Sequence, residues 1–181
     1  MMITSDYALV KKANTGDSAA FAALLERHYD LIYRLAYRML GNQQDAEDIT
    51  QDVCVALSHK LASFKSNAKL TTWLYQVTVN TCRDFIRCCV STRKTHNDFV
   101  QINQIHTDTQ AQRREDAALA YQMINTLEES LRETALLVVA EGLNHAEAAE
   151  ILAIKESTVS WRMLKVRENL SALTECEVGT I

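Results

Sequence analysis

Apolar residues recur along this chain at spacings of three and four rather than in alternation, which predicts helices throughout. Thr15-Gly-Asp-Ser18 interrupts a short leading helix and offers a cap for the next. Phe21, Leu24, Leu25, Leu31, Ile32, Leu35 and Met39 describe one or two helices that end at Gly41, a natural C′ residue. After a connection at Asn42–Asp45, a helix from Asp45 to Leu61 turns Ala46, Ile49, Val53 and Leu57 inward, with Cys54 beside Leu57 and Leu61 on the core side. Phe64–Thr72 reads as a polar loop. The helix from about Thr72 to Cys89 directs Leu74, Val77, Thr81 and Phe85 to one side. Ser91–Arg114 has little apolar periodicity and reads as a flexible linker of roughly two dozen residues, too long for a loop within one compact domain.

Helical spacing returns near Glu115, with Leu119, Met123, Ile124 and Leu127 inward, and again from Leu131 to Glu141. Asn144 and Glu147 form a capping-box pair that opens a short helix through Leu152. Its inward positions, Ala148, Ala149 and Leu152, are mostly small, so a second helix can cross closely. The chain turns at Ala153–Glu156. Val159, Met163, Val166 and Leu170 then recur at i, i+4, i+7 and i+11 on a helix of about four turns. The expected fold class is all-α, as two small helical domains joined by a flexible segment.

Three polar faces stand out against this framework. On the Asp45–Leu61 helix, Asp45, Asp48 and Asp52 share the outer face with Glu47 and Gln51. Acidic residues in a first turn complement the helix dipole, but Asp52 lies beyond that turn, and carboxylates gathered on one face repel each other. A basic partner surface explains them better. On the next helix, Trp73, Gln76, Asn80, Arg83 and Arg87 form a separate ridge. That ridge suits stacking on an unpaired base while cations hold phosphates. It equally suits a core tryptophan beside solvated arginines. On the last helix, Ser157, Ser160, Trp161, Arg162, Lys165 and Arg167 oppose the apolar stripe. A short helix, a tight turn and a helix with a basic outer face form a helix-turn-helix pattern, whose second helix can enter a DNA major groove. An ordinary helical hairpin with a solvated face has the same spacing.

Charge sharpens this picture. The 181 residues carry a formal net charge of −4, unfavourable for a nucleic-acid binder. Yet residues 1–95 hold 12 Lys+Arg against 9 Asp+Glu, and residues 96–181 hold 7 against 14. Between Lys60 and Lys94, seven cations face Asp84 alone, and a second basic cluster runs from Lys155 to Arg167. Two local basic surfaces on an acidic protein predict weak binding to free DNA. Proline is absent and glycine scarce, in keeping with helix. The start lacks the order of a signal peptide and no apolar run approaches a membrane span, so a cytoplasmic location is expected. The five cysteines include no CxxC pair and are expected as reduced thiols. A zinc site or redox switch through Cys82, Cys88, Cys89 and His96 fits no standard ligand spacing, so neither metal nor cofactor is expected. With no Gly-rich phosphate loop and no convincing nucleophile–base pair, neither is enzyme activity or a small-molecule substrate.

The succession DAEDITQDVCVAL, FKSNAKLTTWLYQVTVNTCRDFIR and LRETALLVVAEGLNHAEAAEILAIKESTVSWRMLKVREN resembles bacterial sigma factors of the extracytoplasmic-function group, from about Phe21 to Leu170. The resemblance implies residues 1–92 as sigma region 2, 93–114 as linker, 115–174 as sigma region 4 and 175–181 as a tail. It implies a protein that binds core RNA polymerase, through the clamp helices of the largest subunit and the flap of the second-largest, and that recognises and helps melt promoter DNA. An anti-sigma partner is implied as well, one that can hold the protein at the inner membrane. By this resemblance Asp45, Glu47, Asp48, Gln51 and Asp52 dock on the clamp helices. Phe64, Lys65, Ser66, Asn67 and Lys69 belong to the loop that captures a flipped base of the minus-ten element. Trp73, Asn80, Arg83 and Arg87 support that strand. Ser160, Trp161, Leu164 and Lys165 read the minus-thirty-five element, with Thr158, Arg162 and Arg167 at phosphates.

The chain departs from the family at its turn, where Ala153-Ile154-Lys155-Glu156-Ser157-Thr158-Val159 stands in place of the usual Gly-Ile-Pro-x-Gly-Thr-Val. The residues that make a sharp turn easy are missing, although Ala and Ser still have allowed conformations for it. A basic residue common at the position of Ser160 is absent, Trp161 is bulkier than usual, and Cys54 replaces a larger apolar residue. These departures bear on which promoter is read. A one-component helix-turn-helix regulator is the competing function; the acidic helix and the Trp-Asn-Arg ridge argue against it.

Overall fold

The computed structural model describes residues 5–64, 69–93 and 123–178, excepting the side chains of 90–93 and 172–178. All regular elements among the described residues are helical. The chain divides into two compact units, residues 1–102 and 103–181.

The first unit begins with α1 (Asp6–Ala13), capped by Ser5. Asp17 caps α2 (Ser18–Leu40), a single 23-residue helix, and Gly41 ends it in the left-handed conformation, φ 70°. Helix α3 (Gln43–Lys60) starts two residues before the expected position because the Asn42 side chain accepts from the amides of Gln44 and Asp45. Asn42 is therefore a cap and not part of an open connection. A 3-10 turn, Leu61–Ser63, leads out of α3, and α4 (Leu70–Arg93) follows.

Helices α2, α3 and α4 pack on one another, and α1 lies against α2. Ile32, Leu35, Ala36, Ala46 and Val53 are fully buried at the centre. Each large aliphatic side chain removed from water in this way contributes about 1.5–3 kcal/mol before conformational entropy is subtracted. Asp6 pairs with Arg27 and lies 3.1 Å from Nε2 of the buried His28, which fixes α1 across α2. Asn14 donates to the carbonyl of Leu61 at 3.4 Å. Cys54 is only half-buried, on the flank of the core stripe rather than within it; Thr50 lies inside instead.

The second unit contains α5 (Glu129–Ala135), which widens into a π turn at Leu136–Ala140. Burial is continuous from Glu133 through Leu137, across the α-helical part and into the π turn. Gly142, at φ 70°, then reverses the chain into α6 (His145–Leu152). Helix α7 (Glu156–Val178) follows after three residues and crosses both α5 and α6. Ile124 and Leu127 are buried as expected, while residues 94–122, with most of the expected linker and the start of the Glu115 helix, lie outside the described residues.

Thr50, Thr78 and Thr134 are buried, and each returns its hydroxyl to the carbonyl four residues earlier, at 2.6, 2.9 and 2.8 Å. The helix thus satisfies its own buried polar side chains. Among the described residues, no buried side-chain nitrogen or oxygen lacks a partner.

Candidate nucleic-acid and protein interfaces

Because Ala46, Ile49, Val53 and Leu57 face the core, helical geometry turns Glu47, Asp48, Gln51 and Asp52 to solvent; Asp45 is half-buried. Glu47 accepts from Gln43 at 2.9 Å. Its charge also helps raise the pKa of Tyr33 on α2, after the larger contribution of burial. Among the described residues, no salt bridge involves Asp48 or Asp52. An open groove of about 460 Å³ continues this face toward α2, lined by Leu25, Glu26, Tyr29, Asp30, Gln51 and Cys54. The groove brings Glu26 and Asp30, four apart on the polar side of α2, beside the acidic face of α3.

On α4 the burial is wider than the periodicity suggests. Leu70, Thr72, Leu74, Tyr75, Val77, Thr78, Val79 and Cys82 are all buried, which confines the exposed ridge to a narrow strip. Asn80 and Arg87 are exposed, while Arg83 and Trp73 are half-buried. The ring of Trp73 packs against Phe64, with centroids 5.5 Å apart and planes at 54°. Trp73 is neither a core residue nor a bare platform: one side is supported by Phe64, and the ring remains partly open. Lys69 is exposed just before α4, and Lys65, Ser66 and Asn67 lie outside the described residues. Arg87 sits 3.5 Å from Asp84, an exposed pair one turn apart that holds the guanidinium only weakly.

The last two helices meet as the sequence suggests. Asn144 and Glu147 form both bonds of the capping box. Ala153 follows α6 at φ 55°, ψ 43°, the one non-glycine residue with positive φ among those described. The amides of Ala153 and Ile154 return to the carbonyls of Glu150 and Ala149, which closes a Schellman turn around an alanine where glycine is usual. On α7, Val159, Met163 and Val166 are buried, whereas Trp161 is 56% and Leu164 50% exposed. Ser160 and Arg167 are exposed; Thr158 and Lys165 are half-buried. The Lys165 ammonium donates to Glu168 at 2.7 Å.

Arg162 is oriented unlike the exposed residues of this face. Its guanidinium turns back to α5 and donates to the carbonyl of Ser130 and the hydroxyl of Thr134, both at 3.3 Å. Helical spacing puts Arg162 at the border between the buried seam and the open face, and a long side chain there reaches the polar groups of the neighbouring helix. It therefore braces the helix-turn-helix from the border of that face.

The sigma-70 region 2 family model matches residues 24–88, which cover most of α2, all of α3 and most of α4. The ECF RNA polymerase sigma factor SigW of Bacillus subtilis is 30% identical over 177 residues, spanning 89% of this chain and 92% of that protein. The chain is an extracytoplasmic-function RNA polymerase sigma factor. The solved complex of CnrH with the cytosolic domain of CnrY superposes with a TM-score of 0.70 at 25% identity, covering 94% of this chain and 97% of CnrH. CnrH itself is a sigma factor of Cupriavidus metallidurans. The sigma factor RpoE of Bartonella quintana, solved with the anti-sigma factor NepR, shares the fold at 22% identity, with a TM-score of 0.73 over 86% of this chain and 96% of that one. This sigma factor is thus an alternative factor that directs transcription initiation, and no helix among its described residues is long and apolar enough to cross a membrane.

Proposed function

We propose that the sigma factor docks on core RNA polymerase through the acidic face of α3, with residues 1–92 acting as region 2 and residues 115–174 as region 4, linked by 93–114. Asp45, Glu47, Asp48, Gln51 and Asp52 meet the clamp helices in this reading, and the open groove beside Gln51 extends that contact to Glu26 and Asp30. The observation that carries it is the pair Asp48 and Asp52, exposed on one face of a core-packed helix and joined to no cation among the described residues. Carboxylates held side by side in solvent gain most when a basic surface covers them.

The second half of the proposal concerns promoter DNA. Phe64 and Trp73 form the aromatic support for an unstacked minus-ten base, with Lys65, Ser66, Asn67 and Lys69 between them in sequence and Asn80, Arg83 and Arg87 along the strand. Ser160, Trp161, Leu164 and Lys165 meet base edges of the minus-thirty-five element, and Thr158 and Arg167 meet phosphates. The solved complexes of CnrH with the cytosolic domain of CnrY and of RpoE with the anti-sigma factor NepR support an anti-sigma partner here. If membrane-anchored, such a partner would hold this sigma factor at the inner membrane.

The test is holoenzyme assembly by the Asp48→Lys/Asp52→Lys double variant. Native gel assembly with core polymerase and run-off transcription are expected to fall together, while circular dichroism stays unchanged. Assembly at undiminished affinity removes the docking assignment.

A further inference from the structure

Ser160 is exposed on α7, in the first turns of the helix, where the proposed minus-thirty-five contacts begin. Its hydroxyl is already engaged. Nδ1 of His145, the first residue of α6, lies 3.0 Å from Ser160 Oγ. This bond joins the two helices of the helix-turn-helix across fifteen residues of sequence. His145 is half-buried, its backbone held by the adjoining Asn144–Glu147 capping box, so the ring is offered from a fixed helix end.

We propose that His145 is a positioning residue for promoter specificity, fixing the Ser160 hydroxyl and thereby selecting the base-edge group that Ser160 meets; this rests on the reading of Ser160 as a base contact. A serine hydroxyl has one proton and two acceptor lone pairs, and unrestrained it turns to suit either kind of partner. In the imidazole tautomer that carries its proton on Nε2, Nδ1 is the acceptor, the single hydroxyl proton points to the ring and Ser160 offers DNA only lone pairs. In the major groove those lone pairs match the amines of adenine and cytosine, and they meet guanine O6/N7 or thymine O4 without a proton between. Removing the ring frees the proton, and the same serine then donates to guanine or thymine as readily as it accepts from adenine or cytosine. His145 touches no base in this scheme. It acts through Ser160.

The experiment is promoter-library selection by holoenzyme carrying full-length wild-type, Ser160→Ala, His145→Ala, the double variant or His145→Asn. Asparagine places a carbonyl oxygen near the position of Nδ1. In the wild type, the base position altered by Ser160→Ala is expected to favour adenine or cytosine. His145→Ala is expected to lower that discrimination roughly 2- to 10-fold, the worth of one hydrogen bond, and to leave other positions unchanged. The double variant should discriminate no worse than Ser160→Ala alone, and His145→Asn should restore most of the preference. If Ser160→Ala shifts a base preference and His145→Ala does not, the positioning role falls while Ser160 remains a reader. If Ser160→Ala shifts none, the reading of Ser160 falls first and the inference with it. Equal loss on every promoter with His145→Ala, or failure of His145→Asn to rescue, also overturns it. Should thermal unfolding show that His145→Ala is not folded, His145→Gln takes its place, since its amide lies one bond further out and is expected to lose the same discrimination.

Discussion

Helices α4 and α7 are the two on which this sigma factor is proposed to meet DNA, and they are held in opposite ways. Helix α4 is buried over most of its circumference, from Leu70 and Thr72 through Thr78 and Val79 to Cys82. Helix α7 rests on a single seam, Val159, Met163 and Val166, and shows Ser160, Trp161, Leu164 and Arg167 to solvent. The first is a strut in the core of its unit with one open edge. The second is a blade whose wide free face suits insertion into a groove. A substitution on α4 therefore tends to act through stability, and one on the outer side of α7 through recognition.

The sharpest break of this contrast compares Leu74 with Leu164. Leu74→Ala removes a side chain that is 2% exposed and is expected to cost about 2–5 kcal/mol in the first unit. Leu164→Ala, at a half-exposed position, is expected to change stability by less than about 0.5 kcal/mol while altering promoter preference. The two tryptophans, Trp73 and Trp161, fall one in each unit, so urea unfolding followed by fluorescence in Trp161→Phe or Trp73→Phe backgrounds reads each unit separately. Equal losses for the two leucines would erase the distinction.

A smaller effect separates two arginines on α7 itself. Arg162→Ala removes the donor to Ser130 and Thr134 and is expected to destabilise the second unit by roughly 1–2 kcal/mol. It should leave the salt dependence of promoter binding unchanged. Arg167→Ala, at an exposed position, is expected to leave stability alone and reduce the slope of log K against log salt by about one phosphate's worth. The reverse outcome would return Arg162 to the phosphates.

The smallest change is at the turn between α6 and α7. Ala153 sits in a region that an L-residue enters only at some cost, so Ala153→Gly is expected to raise stability by up to about 1 kcal/mol, part of the relief being lost to the greater freedom of glycine in the unfolded chain. Thermal unfolding checks this. A fall in melting temperature would mean that the alanine methyl makes a packing contact worth more than the strain.

Much of the fold was legible because its signals are local. Asp17, Gly41 and the Asn144–Glu147 box act within three or four residues of themselves, and each stands where the helix boundary falls. The seam of α7 and the outward carboxylates of α3 follow from helical periodicity alone, which needs no neighbour to be read. Asn42 shows the limit of such reading: its identity suits a cap and a connection alike, and the bonds from the amides of Gln44 and Asp45 to its side chain decide for the cap.

What only the tertiary structure decided are the contacts between residues far apart in sequence. Periodicity indicates which stripe of α4 is apolar, but its wide burial is decided by how many neighbours surround it, here α2 and α3 together. Helical spacing puts Arg162 near an open face, but Ser130 and Thr134, about thirty residues earlier, draw its guanidinium inward. The support of Trp73 by Phe64, the continuous burial from Glu133 to Leu137, and the bond from His145 to Ser160 arise the same way. Side chains at the border of a helix face can turn either way, and long-range packing, which no local spacing encodes, settles which way they turn.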